Sequence, residues 1–511
     1  MKKFFFAVIF LFSFLLNTTV WAAPSLERQW RDETIYFILI DRFNNGDESN
    51  DYHVDPSDPL AYHGGDFQGI IDRLDYLKNL GFTALWLTPV FDNSDKGYHG
   101  YWIRDFYNTE EHFGTIDDLK RLVEEAHKRD MKIILDFVVN HTSPDHPWVT
   151  DPEKKNWFHE KKEIFDWKNQ EQLENGWIFG LPDLAQENPE VKQYLIDVAK
   201  WWITETDIDG YRLDTVKHVP IDFWKDFSKE VKSVKEDFYL LGEVLDYDPN
   251  YIHEYFDAGI DGFVDYPLYD RIRTAFSKPG NLSRVIDLLE YNEELYEHPE
   301  LMGQFIDNHD TPRFTREILQ ANEKPEIRWK LALTFMYTTP GIPIIYYGTE
   351  IALDGGGDPD NRRLMDFEKQ SDLTDYISKL GEIRNENRSF TRGDITFLYN
   401  SNGMVVYKRE YEHETTIVAL NNTDQPQELS LSEQDIGKDV VLNELTGNGE
   451  TIHNQNGSYI FKLDGETSTI YRMEENEREH VSGISFLFIF LAILAVISIF
   501  YLFRHKRVIE K

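Results

Sequence analysis

Polar and apolar positions alternate along this chain in a recurring way. Eight short apolar runs each end in polar or charged residues: "TIYFILIDRF" (34–43), "FTALWLTPV" (82–90), "KIILDFVVNH" (132–141), "GYRLDTV" (210–216), "FYLLGEV" (238–244), "GFVDYPL" (262–268), "MGQFIDNHD" (302–310) and "PIIYYGTE" (343–350). Runs that are apolar at nearly every position predict strands buried on both faces, as in a parallel sheet. Helical patterns such as "IDDLKRLVEEAHKRD" (116–130) and "EVKQYLIDVAKWWITETD" (190–207) lie between them. Eight strand–helix alternations predict an α/β fold, a (β/α)8 TIM barrel over residues 24–141 and 189–389. The one abnormal gap, from about Asn140 to Gly210, predicts a small domain inserted after strand 3, at 142–188. From residue 390 a period of two takes over, in "DITFLYN", "MVVYKREY", "TTIVALNN", "DVVLNEL" and "YIFKLD", split by Asn-Gly and Asn-Asn turns. A C-terminal antiparallel β-sandwich is expected at 390–473.

Both ends read as targeting segments. Lys2 and Lys3 precede the apolar run Phe4–Leu16, and Val20, Trp21, Ala22 and Ala23 offer small residues for cleavage, so 1–23 is expected to be a secretory signal peptide. An acidic linker, 474–483, leads to residues 484–503, which carry no charge and are long enough to span a bilayer. The basic "RHKR" (504–507) in the tail 504–511 then places the C-terminus in the cytoplasm and the main body outside. The expectation is an exported protein anchored to the cell membrane by one C-terminal helix, with the lipid bilayer as a partner.

Composition narrows the chemistry. With 53 Lys and Arg against 91 Asp and Glu, the formal charge is −38, which argues against nucleic acid as a partner. The absence of cysteine excludes disulfides, thiolate metal sites and a cysteine nucleophile. A monomer is expected. Aromatic residues make up 14% of the chain, and sugar-binding clefts use aromatic faces as stacking platforms.

Barrel enzymes carry catalytic groups at the carboxyl ends of their strands. Here strand 4 ends with Arg212 and Asp214, which share a face because they are two apart. Strand 5 ends with Glu243, strand 7 with Asp307, Asn308, His309 and Asp310, and strand 3 with Asp136, Asn140 and His141. Any one strand-end Asp is more often a cap or turn residue. Together they form a stronger pattern. An Arg beside Asp214 favours the ionised carboxylate that a nucleophile needs, and the apolar "FYLL" before Glu243 favours a raised pKa, as a general acid needs. Carboxylates in opposed environments are the signature of glycoside hydrolysis.

These residues resemble the α-amylase family, glycoside hydrolase family 13. "DFVVNH" (136–141), "GYRLDTVKH" (210–218), "GEV" (242–244) and "FIDNHD" (305–310) are similar to its four conserved regions, in order. "LPDL" (181–184), "GFTALWLTP" (81–89) and "GIPIIYYGTE" (341–350) resemble three accessory regions, so the likeness covers roughly 30–470. It implies an α-glucan substrate, with Asp214 as nucleophile, Glu243 as acid/base and Asp310 as transition-state stabiliser. Arg212 would orient Asp214, and His141 and His309 would bond the sugar at the cleavage point. "YHGYWIRDF" (98–106) is similar to an aromatic stretch of cyclodextrin glucanotransferases, in which Tyr101 stacks on that sugar and Trp102 lies beside it. "DPDNR" (358–362) resembles the segment whose Asp358 and Arg362 hold donor-side glucose, and Lys217 would reach the acceptor. Val244, where those transferases carry Trp, and the short insertion favour hydrolysis of α-1,4 bonds with retention; transfer or cyclodextrin cleavage is the alternative.

The resemblance also implies calcium. Asn140, Asp183 and His218 (through its carbonyl) match a structural Ca²⁺ site, whose hard oxygen donors suit that ion. "NNGDESND" (44–51) with "GGD" (64–66) resembles a second calcium loop, with Asn45, Asp47, Asn50, Asp51, Gly64 and Asp66 as ligands.

Overall fold

The computed structural model describes residues 27–447 and 449–476, together with residues 491, 493–495, 497 and 498. The chain falls into two units, Met1–Trp30 and Arg31–Lys511. Of the first only residues 27–30 are described, and 27–29 are irregular.

The second unit holds the eight strands: β1 (Ile35–Ile38), β2 (Ala84–Leu87), β3 (Lys132–Phe137), β4 (Gly210–Leu213), β5 (Tyr239–Gly242), β6 (Gly262–Phe263), β7 (Gly303–Phe305) and β8 (Ile342–Tyr346). They pair in the order β6-β5-β4-β3-β2-β1-β8-β7, every neighbour parallel. A parallel bridge between Val264 and Gly303 joins the two ends and closes the barrel. All four residues of β1, β2, β4 and β5 are buried, as runs covered on both faces require.

The helices read as amphipathic stripes. Ile116–His127 starts with a capping box between Thr115 and Asp118 and buries Leu119, Leu122, Val123 and Ala126, which lie on one face at helical spacing. Pro189–Thr206 opens with Pro after the Asn188 cap and stops at Asp207, whose φ of 57° breaks the helical run.

Three excursions shape the mouth. After β2, an antiparallel pair (Phe91–Asn93 with Ile103–Thr109) carries Tyr98 to Trp102 in its turn. After β3, residues 142–188 form short helical segments, among them Gln170–Asn175 and Ile178–Gly180. Bridges from His141 to Asp183 and from Phe158 to Leu184 tie that stretch back to the strand end. After β8, residues 353–363 fold over the end of β7, where Asn361 and Arg362 both bond the His309 carbonyl.

Beyond the barrel, a six-stranded antiparallel sheet faces a two-stranded ribbon (Gln427–Ser432 with Ser458–Leu463). Their shared core includes Val406, Ile417, Leu431, Leu442 and Phe461. This is the expected C-terminal antiparallel β-domain.

The expected membrane helix requires correction, and with it the bilayer as partner and the membrane-anchored localisation. Among the described residues, no helix is long and apolar enough to cross a membrane. A span takes about 20 continuous apolar helical residues, and within 484–503 the described residues are only 491, 493–495, 497 and 498. The rest of that segment, the expected signal peptide and the tail 504–511 lie outside the described residues.

Candidate active site

The strand ends deliver their charged groups to one place, and Arg212 is its hub. Fully buried on β4, Arg212 donates through one nitrogen to Asp136 (2.8 and 3.0 Å) and to Asp214 Oδ1 (2.7 Å). Its other terminal nitrogen contacts Glu243 Oε1. One guanidinium therefore holds carboxylates from β3, β4 and β5, a net negative cluster out of water. Burying like charges disfavours ionising all of them. Burial pushes Asp136 up to about 7 although Arg212 pulls it back, with Asp214 adding to the rise.

Asp214 is 5% exposed and accepts a second bond from Thr215 Oγ1 (3.0 Å). Burial pushes its carboxyl above the ordinary value against the pull of Arg212 and Thr215. The Arg–Asp spacing correctly implies the contact, but strand-end burial outweighs it. Glu243 is equally buried and raised, first by burial and then by Asp214 and Asp310, with Arg212 opposing. Its Oε1 also accepts from the Tyr266 hydroxyl (3.1 Å), and its Oε2 from the Thr215 amide (3.2 Å). Asp310 differs from both: its side chain is 38% exposed and lies 3.5 Å from Arg362 and from His309 Nε2.

Aromatic and imidazole groups wall this cluster. The Tyr101 hydroxyl donates to Asp136 (2.7 Å), and its ring lies parallel to that of His309 with centroids 5.1 Å apart. Trp102 stands edge-on to His99, its amide fixed by Asn93 (2.7 Å). His141 and His309 are buried and neutral: burial lowers His141 to about 4 and holds His309 well below its usual value. His141 Nε2 and His309 Nδ1 are buried without a hydrogen-bond partner. Arg362 reaches the His309 carbonyl (2.9 Å) and pairs with Asp358 (3.1 Å). Lys217 Nζ donates to the Leu245 carbonyl (2.6 Å), two residues past Glu243, and burial lowers its pKa.

The first calcium set also converges. Asp183 and Asn140 are fully buried. One terminal atom of the Asn140 amide lies 3.0 Å from the His218 carbonyl and 3.2 Å from Asp183 Oδ1. Turned as NH₂ it donates to both; turned as oxygen it completes three hard donors around one point, which fits Ca²⁺. The other Asp183 oxygen accepts from His159 (2.6 Å), while burial pushes that carboxyl up to about 7.

The second set is assembled differently. Asp51 is held at both oxygens by Asn45 (3.0 and 2.9 Å), and Asp47 caps Ser49 (2.9 Å). Asn50 leaves its side-chain oxygen unpartnered. Gly64, at φ 92°, passes so close that a Cβ would meet Asn45 Nδ2 at 2.6 Å and Asp51 Oδ1 at 2.7 Å. Asp66 is bonded by the Asn50 side chain and by the amides of Gly46, Asp47 and Gly69, the last as cap of helix Phe67–Asn79.

Several groups escaped a role in the sequence. Asp136 stands in the quoted strand 3 run, and Tyr266 in the strand 6 run, yet neither had a partner until the barrel closed. Trp167 and Phe179 in the 142–188 stretch lie with centroids 5.9 Å apart, 45% and 87% exposed. Trp167 also stands edge-on to His218 (6.0 Å), beside Lys217. Exposed aromatics next to "LPDL" were the available signal.

Comparison with known proteins gives the family. The family model described as the α-amylase catalytic domain matches residues 37–440. The crystal structure of an Anoxybacillus α-amylase is similar at 60% identity and a TM-score of 0.87, over 88% of this chain and 99% of that one. A cyclomaltodextrinase of Thermoanaerobacter pseudethanolicus is 34% identical over 486 residues, 89% of this chain and 81% of the relative. Beta/alpha-amylase of Paenibacillus polymyxa is 40% identical over 418 residues, 78% of this chain, and this chain spans 34% of that protein's length. The family groups hydrolases and transferases of α-glucans, and its amylases commonly bind calcium. By its barrel, its strand-end carboxylates and these matches, the chain belongs to the α-amylase family and is an enzyme of glycoside hydrolase family 13.

Proposed function

We propose that this enzyme is an α-amylase that cleaves internal α-1,4 bonds of starch or maltodextrins with retention. The observation that carries the reading is the shared guanidinium. Asp214 and Glu243 sit on the two terminal nitrogens of Arg212, so their carboxyl groups are near neighbours. Double displacement needs carboxyls only about 5–5.5 Å apart, whereas inversion leaves room for a water between more distant ones.

In this reading Asp214 attacks the anomeric carbon while Glu243 protonates the departing oxygen. Glu243 then takes a proton from water, which releases the sugar from Asp214. Asp310, the most exposed of the three, is free to bond sugar hydroxyls. The unpartnered nitrogens of His141 and His309 offer further bonds to the same sugar, since buried polar groups seek a partner. Tyr101, clamped by Asp136, presents a fixed ring for stacking. Asp358, Arg362, Trp102 and Lys217 stand around these groups as donor-side and acceptor-side contacts. Asn140, Asp183 and the His218 carbonyl would hold a Ca²⁺ that braces the 142–188 stretch against the strand ends.

The α-amylase named among the solved relatives supports hydrolysis. Transfer to a sugar acceptor has its own observation, the exposed Trp167–Phe179 pair beside Lys217. The test is to incubate the purified protein, with Ca²⁺, with soluble starch, β-cyclodextrin and pullulan. Products are resolved by chromatography and the anomer first released is read by NMR. Linear α-anomeric products are expected. Cyclic products would turn the reading to transferase, initial β-anomers would refute retention, and no turnover of any α-glucan would refute the enzyme reading.

A further inference from the structure

The proton that Glu243 must deliver has a choice of two oxygens, and the surroundings of this carboxyl make them unequal. Oε1 meets two donors, the Arg212 guanidinium and the Tyr266 hydroxyl at 3.1 Å. Oε2 meets one, the Thr215 amide at 3.2 Å. The ion pair and the hydroxyl bond together crowd Oε1, which leaves Oε2, with its single amide donor, as the oxygen open to a proton. Tyr266 is itself fixed. It is 1% exposed, its ring stands edge-on to Phe305 (5.1 Å), and its oxygen accepts from Asn308 Nδ2 at 3.2 Å. With Asn308 donating to it, the phenol proton is left to point at Glu243. Asn308 Oδ1 in turn accepts from the Asp310 amide (3.1 Å), so one chain of bonds runs from the Asp310 loop through Tyr266 to Glu243.

We propose that Tyr266 is a positioning residue for the acid/base: by filling Oε1 together with Arg212, its hydroxyl confines the transferable proton of Glu243 to Oε2. This rests on Glu243 acting as acid/base. In the first step the O–H bond at Oε2 breaks as the proton passes to the glycosidic oxygen. The carboxylate left behind is bonded at Oε1 by Arg212 and Tyr266. In the second step Oε2 takes a proton from water, which restores the starting state. Tyr266 gains and loses nothing; its bond strengthens as charge appears on Glu243, because hydrogen bonds to ionised acceptors are the stronger ones. Arg212, Asp214, Lys217, Asp310, His309 and Tyr266 are the charged and titratable groups facing Glu243, from β4 and the turn after it, the β6 end and the β7 loop.

The test is Tyr266→Phe, which keeps the ring and removes the donor. A bond to the ionised form lowers the pKa of a carboxyl, so its loss should move the alkaline limb of kcat/KM upward by about one pH unit. Maltooligosaccharide hydrolysis should fall about tenfold or more at neutral pH, within the range that one general acid contributes. An α-maltosyl fluoride, whose leaving group needs no proton, should react at near wild-type rate. A purely structural role for Tyr266 would lower both substrates together, and that outcome, or an unmoved alkaline limb, overturns the proposal. Placing 3-fluorotyrosine at 266 keeps the shape, strengthens the donor and should move the limb the opposite way; a shift in the same direction also overturns it. Failure of the wild-type protein on both substrates would instead strike the proposed function itself.

Discussion

The barrel mouth and the loop at 44–66 are both rich in carboxylates and amides, yet they spend their oxygens differently. At the mouth, groups from separate strands meet in a buried space, and two keep unfilled valences: His141 Nε2 and His309 Nδ1. In the loop, side chains and backbone amides mostly satisfy each other, with the Asn50 side-chain oxygen left over. Asp51 is taken by Asn45, Asp47 by Ser49, and Asp66 by three backbone amides. The difference lies in how the groups are held. Within a loop, side chains and amides can turn toward one another, whereas strand ends hold their side chains wherever the barrel sets them. Density of acidic residues therefore says little about binding; lone pairs left over after folding say more.

The sharpest test of this contrast is Asp214→Asn against Asp51→Asn. The first should lower kcat by at least about 10³-fold, as removal of a residue that acts in a catalytic unit does. Its melting temperature should not fall, because the change relieves one of the like charges that burial disfavours around Arg212. Asp51→Asn should alter activity by no more than about twofold, the scale of a surface substitution. Activity assays with thermal melts on the same preparations check both halves. A large loss from Asp51→Asn, or retained turnover in Asp214→Asn, would erase the distinction.

A smaller effect separates the two proposed calcium sets. Asp183→Asn should remove most of the calcium dependence of the melting temperature, since an ion at 100 times its Kd stabilises by about 2.7 kcal/mol. Asp66→Asn should cost about 1 kcal/mol or less, the scale of an N-cap, and do so equally with Ca²⁺ or chelator. Melts in both conditions are the measurement. A calcium-dependent loss from Asp66→Asn would place Asp66 among the ion's ligands.

What could be read from the sequence follows the same line. Asp214, Arg212 and Glu243 were legible because a strand fixes direction: once the apolar runs are strands, residues at their ends have one place to go. Asp183 was legible only through the resemblance of "LPDL", since nothing in a short irregular segment dictates where its carboxylate lands. Asp66 shows what local pattern omits. Its neighbourhood "GGD" looks like a ligand loop, but that the amides of Gly46 and Asp47, twenty and nineteen residues earlier, also bond it follows only from the fold. Tyr266 was invisible for a third reason. Its hydroxyl meets Glu243 only because β5 and β6 are neighbours in the barrel, a fact of topology rather than of local pattern.

The weakest expected effect belongs to the seam beside the loop, at His112. Its Nδ1 bonds Glu110 (2.5 Å) and its Nε2 the Tyr52 carbonyl (2.6 Å), while its ring stacks on Tyr62 with centroids 3.7 Å apart. Both nitrogens face acceptors, so the ring is doubly protonated in this arrangement. Burial works against that charge, but the bonds to Glu110 and Tyr52 outweigh it and leave the pKa above the ordinary 6.5. A raised pKa in the folded state contributes stability that is full below 6.5 and is lost as pH climbs through the folded value. The protein should therefore lose stability above neutrality by a margin that His112→Gln abolishes, because a Gln amide can bond but cannot titrate. At the mouth His141 and His309 act in the opposite sense: their lowered pKa values cost stability below the unfolded value of 6.5, and that cost fades as pH rises through it. Melting temperatures of both proteins across pH 6 to 9 decide it, on the scale of about 1 kcal/mol. Parallel curves for wild type and His112→Gln would show that the seam does not depend on this proton.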